Sequence, residues 1–66
     1  MVPRILRRQH VEAQTGLSRS NIYDLIAREE FPRPIKIGAR AVGWIETDIV
    51  DWINSKIEAA QREGIK

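Results

Sequence analysis

The chain has 66 residues, no cysteine, one histidine and a formal net charge of +2. That length accommodates one domain with a small core. Disulfides and cysteine-based zinc sites are excluded, and a lone His10 cannot assemble a metal site. The charge is unevenly spread: residues 1–40 hold eight basic groups against four acidic ones, a net of +4, whereas residues 41–66 hold three against five, a net of −2. The first part of the chain is therefore suited to a polyanion and the second is not.

In chain order, Ile5 and Leu6 form a short apolar anchor after Pro3. A first helix is expected over Arg8–Gln14, with Val11 as its main core residue, helped by Ala13 or the stem of Gln14. Arg7 and Arg8 lie at its start, where a cation gains nothing from the helix dipole but is well placed for a phosphate. Gly16 stops this helix, because glycine takes a left-handed conformation without steric cost. Ser18 is the expected N-cap of a second helix. Leu17 before the cap and Ile22 after it are spaced for a hydrophobic staple. Ile22, Leu25 and Ile26 then face a core, while Ser20, Tyr23, Asp24, Ala27 and Arg28 point away from it. Arg19 flanks the first turn. Helix, glycine turn and capped second helix read as a helix-turn-helix, whose second helix meets base edges in a major groove.

The second helix should end near Arg28–Glu29–Glu30. Phe31–Pro32–Arg33–Pro34 follows as a stiff extended segment, with Phe31 plugging the core. Ile35–Lys36–Ile37 has strand alternation. A loop is expected over Gly38–Gly43, with Trp44–Ile45 as the returning strand. The resulting hairpin reads as a wing, with Arg40 at its tip. Trp44 belongs in the core and needs a partner for its indole N–H. Thr47 is the expected cap of a last helix whose stripe is Ile49, Trp52, Ile53, Ile57 and Ala60. Asp48 and Asp51 suit its positive N-terminal end. Fraying is expected over Glu63–Lys66.

Four segments together resemble the AlpA family of small phage and prophage regulators. They are Thr15–Gly16–Leu17–Ser18–Arg19–Ser20–x–Ile22–Tyr23–x–Leu25–Ile26, Phe31–Pro32–x–Pro34, Gly38–x–Arg40–Ala41–Val42–Gly43–Trp44 and Asp48–Ile49–x–x–Trp52–Ile53. The resemblance spans roughly residues 4–58, and the order of four motifs is more specific than any one of them. The family is similar to excisionases and to the DNA-binding part of MerR proteins. The resemblance implies a winged helix-turn-helix, a role in transcription and, in some members, control of prophage excision. Two positions depart from it. Many members carry a basic residue where this chain has Asp24, and threonine is common where it has Asn21.

The expected architecture is mainly α: a single winged helix-turn-helix domain over residues 1–66, with three helices and a two-stranded wing between the second and third. The expected function is sequence-specific binding of double-stranded DNA as a cytoplasmic regulator of phage or prophage transcription. Ser18, Arg19, Ser20, Tyr23 and Asp24 would approach base edges or adjoining phosphates, and Arg8, Arg28, Lys36 and Arg40 would hold the backbone. So small a domain covers few base pairs, which favours a homodimer or cooperative side-by-side copies on DNA. An excisionase-like recombination directionality factor needs the same contacts. The non-DNA alternative is a small interaction module, an anti-repressor or antitoxin, using an apolar groove beside the final helix. Neither enzyme chemistry nor a cofactor is expected, since no nucleophile pair, metal set or phosphate-cradling glycine loop is present. No apolar run has the length of a signal peptide or membrane span.

Overall fold

The first helix, α1 (Arg8–Thr15), ends as its sequence dictates in the computed structural model, which describes residues 4–63. Gly16 has φ +75°, and its N–H donates to the Glu12 carbonyl at 2.8 Å. The Thr15 hydroxyl ties the turn further, donating to the Val11 carbonyl and accepting from the Leu17 N–H. Val11 is the buried residue of α1; Ala13 and Gln14 are both exposed and do not help it. An eight-residue helix with one core side chain depends on its neighbours for stability.

The second helix, α2 (Arg19–Ala27), starts at Ser18, whose hydroxyl accepts from the Asn21 N–H at 3.2 Å. Leu17 packs against the core cluster that includes fully buried Ile22. The helix ends in a Schellman turn without glycine. The Glu30 N–H reaches the Leu25 carbonyl and the Glu29 N–H the Ile26 carbonyl, with Glu29 at φ +60°.

The strands are β1 (Ile5–Leu6), β2 (Ile35–Gly38) and β3 (Ala41–Ile45). β2 and β3 form the hairpin between α2 and the last helix. Its connection is shorter than the glycine spacing suggests: only Ala39 and Arg40 lie between the strands, and Ala41–Gly43 belongs to β3. The apolar anchor Ile5–Leu6 is itself a strand, so the sheet has three strands in the order β1-β3-β2. The antiparallel register pairs Ile5 with Ile45, Leu6 with Trp44, Ile35 with Gly43 and Lys36 with Val42.

Directly paired residues share a face of the sheet. Leu6 and Trp44 lie on the core face and are buried; Ile5 and Ile35 lie on the other face and are largely exposed. Gly43 lets the outer face close up. A Cβ there would collide with Ile5 Cγ2 and come within 3.2 Å of the Leu6 carbonyl oxygen.

The third helix, α3 (Glu46–Glu63), follows β3 without a loop. Thr47 therefore lies inside its first turn rather than at the cap, and the Glu46 N–H is satisfied by the Arg4 carbonyl at 2.8 Å. Ile49 is buried, and Trp52 and Ile53 pack against the core. Further along the expected stripe, Ile57 is 50% exposed, and Ala60, though half-buried, is not among the residues packed against the core. The core is Leu6, Val11, Ile22, Phe31, Trp44 and Ile49, so every element but β2 contributes. The expected fraying falls mostly on residues 64–66, outside the described residues.

The two tryptophans hold the link between α2 and β2. The Trp44 indole donates to the Pro32 carbonyl at 2.9 Å and the Trp52 indole to the Glu30 carbonyl at 2.8 Å. Phe31 lies between them, its ring edge-on to Trp52 with centroids 4.8 Å apart. Three helices and a hairpin after α2 make a winged helix-turn-helix with an added edge strand.

Candidate nucleic-acid interface

Three elements converge on one basic cleft of about 490 Å³, lined by Arg7, Arg8, Gln9, Tyr23, Arg40 and Val42. Arg7, Arg8 and Gln9 come from the start of α1, Tyr23 from the outward face of α2, and Arg40 and Val42 from the hairpin. The β1–β3 pairing explains the arrangement. Antiparallel strands run past each other, so the residues after Leu6 travel beside β3 towards Val42. Lys36 pairs with Val42 and so shares its face on the neighbouring strand.

The expected site residues divide into two groups. Arg8, Tyr23 and Arg40 are brought together at the cleft. Ser18, Arg19, Ser20, Asp24, Arg28 and Lys36 are exposed but do not line it. Arg7, placed for a phosphate by its position at the start of α1 though not among the residues expected to hold the backbone, also lines it, as does Gln9, which was not expected. Arg7 carries a signal in the sequence, a second arginine beside Arg8; Gln9 carries none.

The charges within this region are unequally engaged. Arg8 is bound to Glu12 at 2.9 Å and Arg28 to Asp24 at 3.2 Å, both one helical turn apart. The carboxylate of Asp24 on this basic surface thus has Arg28 as its partner. Arg19 lies over the Tyr23 ring, 6.0 Å from its centroid. Among the described residues, no carboxylate pairs with Arg7, Arg19, Lys36 or Arg40. The Ser18 hydroxyl serves the helix cap and keeps its own proton free to donate.

A second cleft, of about 450 Å³, has the opposite sign. Phe31, Pro32 and Trp52 line it together with Glu29, Asp48 and Asp51. It lies beside α3, where the apolar groove of an interaction module was expected, and its three carboxylates would repel a polyanion. Among the described residues, no group of three potential metal ligands is present, and no helix is long and apolar enough to cross a membrane.

The sequence matches the family described as prophage CP4-57 regulatory protein (AlpA) over residues 4–57. The chain belongs to the AlpA family. Among AlpA relatives, it is 36% identical to the DNA-binding transcriptional activator AlpA of Escherichia coli (strain K12), covering 80% of this chain and 84% of that protein. It is 37% identical to the protein ORF88 of Enterobacteria phage P4, covering 89% of this chain and 67% of that one. The matched region of the AlpA family includes both lips of the basic cleft and ends within α3.

Proposed function

We propose that this chain binds double-stranded DNA sequence-specifically and regulates transcription of prophage genes in the cytoplasm. The carrying observation is the convergence of α1, α2 and the hairpin on one basic cleft. A capped helix with an exposed polar face beside a basic hairpin is the arrangement by which helix-turn-helix proteins place a helix in the major groove. AlpA of Escherichia coli, a family relative, is a DNA-binding transcriptional activator. In this reading Arg19 and Ser20 face the base edges, with Ser18 at the groove wall and Asp24 paired with Arg28. Arg8, Tyr23, Arg28, Lys36 and Arg40 hold phosphates. Two copies, paired or side by side on repeated sites, supply the length of sequence that one small domain cannot read.

Titration against duplex DNA at several salt concentrations tests this. With about four to six phosphates neutralised, log K should fall with log salt at a slope of roughly −4 to −5. A duplex from the upstream region of the regulated genes should bind more tightly than random sequence. Failure to bind any duplex at low salt would return the protein to the class of interaction modules.

A further inference from the structure

We infer that the cleft between α1 and the hairpin is a clamp for a single DNA backbone phosphate, held jointly by Arg7 and Arg40 with Tyr23 in its lining. The inference rests on the proposed DNA binding and deepens it, because it replaces a wing that reaches outward alone by one that closes on α1.

The reasoning starts from charge. Three arginines line one cleft of about 490 Å³, and no carboxylate lines it with them. Arg8 is already neutralised by Glu12 at 2.9 Å. Arg7 and Arg40 have no ionic partner among the described residues. Two like charges facing one hollow repel each other, and an anion between them removes that cost. The start of α1 points the same way. Its N-cap is Arg7, which makes no side-chain cap bond, and its first turn holds no acidic residue. The His10 N–H turns back to the Arg7 carbonyl at 2.9 Å, which leaves the Arg8 and Gln9 N–H groups for an outside acceptor.

The chemistry of the lining narrows the anion. Guanidinium groups match phosphate oxygens in geometry and charge. A phenol hydroxyl and a glutamine amide add neutral donors. Val42 supplies an apolar wall against which a sugar can rest. A phosphodiester in a continuous strand fits this mixture, and Tyr23 connects the clamp to the helix that enters the groove. Tyr23 therefore contacts the backbone rather than a base.

Binding of a duplex in which each phosphate in turn is replaced by a neutral methylphosphonate tests the clamp. The parent protein is compared with Arg7→Gln, Arg40→Gln and the double variant. Arg7 and Arg40 are exposed, so the fold should survive, and circular dichroism verifies it. Each single change should weaken binding about tenfold, the usual scale for one charge-assisted contact. The double variant should lose clearly less than the product of the two single losses, because both arginines serve one phosphate. One methylphosphonate position should weaken the parent about tenfold and leave the double variant almost unaffected. If the two losses multiply, or if every position affects parent and double variant alike, the clamp is wrong while DNA binding stands. Absence of binding to any duplex at low salt would overturn both.

Discussion

Gly43 shows how much depends on one missing methyl group. It lies opposite Ile35 in the sheet, and Ile5 and Ile37 close over it from either side. A Cβ would meet Ile5 Cγ2, a branched position next to the backbone, and the Leu6 carbonyl oxygen at 3.2 Å. Neither yields without moving β1. Gly43→Ala should therefore cost about 1–3 kcal/mol, the usual penalty for overpacking, measured as a lower midpoint in thermal or urea unfolding. Asp24 raises the opposite question, a side chain that binds rather than packs. Its 3.2 Å pair with Arg28 adds only about 0.2–0.5 kcal/mol to the helix. In the proposed reading its larger effect is to fix where Arg28 points. Asp24→Ala should shift affinity by a similar factor for every DNA sequence. Selection from a random duplex pool with both proteins should give the same sequence preference. A preference relaxed at one base pair would instead assign Asp24 an accepted hydrogen bond from cytosine.

Among the elements, α2 is defined locally at its start and under strain at its end. Ser18 caps it through Asn21, three residues on, and Leu17 just before the cap packs on the core. At the other end Glu29 takes φ +60°, where glycine is the usual occupant, since a side chain there costs about 1–2 kcal/mol. Two features keep it there. The Glu30 N–H reaches back to Leu25, and the Trp52 indole holds the Glu30 carbonyl from α3. Glu29→Gly should relieve the strain and raise stability by about 1 kcal/mol, shifting the thermal midpoint upward by about 4–8 °C for a domain this small. DNA affinity should not change, because Glu29 lines the acidic cleft rather than the basic one. A lower midpoint would mean that the glutamate side chain contributes more there than its backbone costs.

For the whole molecule, the two clefts set an orientation. In the proposed reading the arginine-lined cleft takes the DNA, and the carboxylate-lined one beside α3 is turned away from it. Regulation at a promoter and architectural control of recombination would use the same face and differ in what becomes of the DNA. The activator reading predicts a short footprint at a promoter and no bend in circular-permutation gels. Tandem footprints near an attachment site, with a bend, would move the protein to the excisionase-like role.

Much of this molecule is written in short-range chemistry, and much of its candidate site is not. Gly16, Ser18 and the spacing of Ile22, Leu25 and Ile26 define the helix-turn-helix from residues a few positions apart. Phe31 and Trp44 read as core for the same local reasons, being large apolar side chains beside a turn or within a strand, and both are buried. The family, too, is legible from four short motifs in order. The cleft is different. It exists because Leu6 pairs with Trp44 far along the chain, which carries Arg7 and Arg8 alongside the hairpin. Two residues make too short a strand for any periodicity to mark, and the pairing is stabilised by burying Leu6 and Trp44 together rather than by the propensity of either segment. Likewise Ile57 continues the apolar spacing of α3 but is exposed, because spacing records which side of a helix a residue lies on and only packing decides how far along it a neighbour reaches.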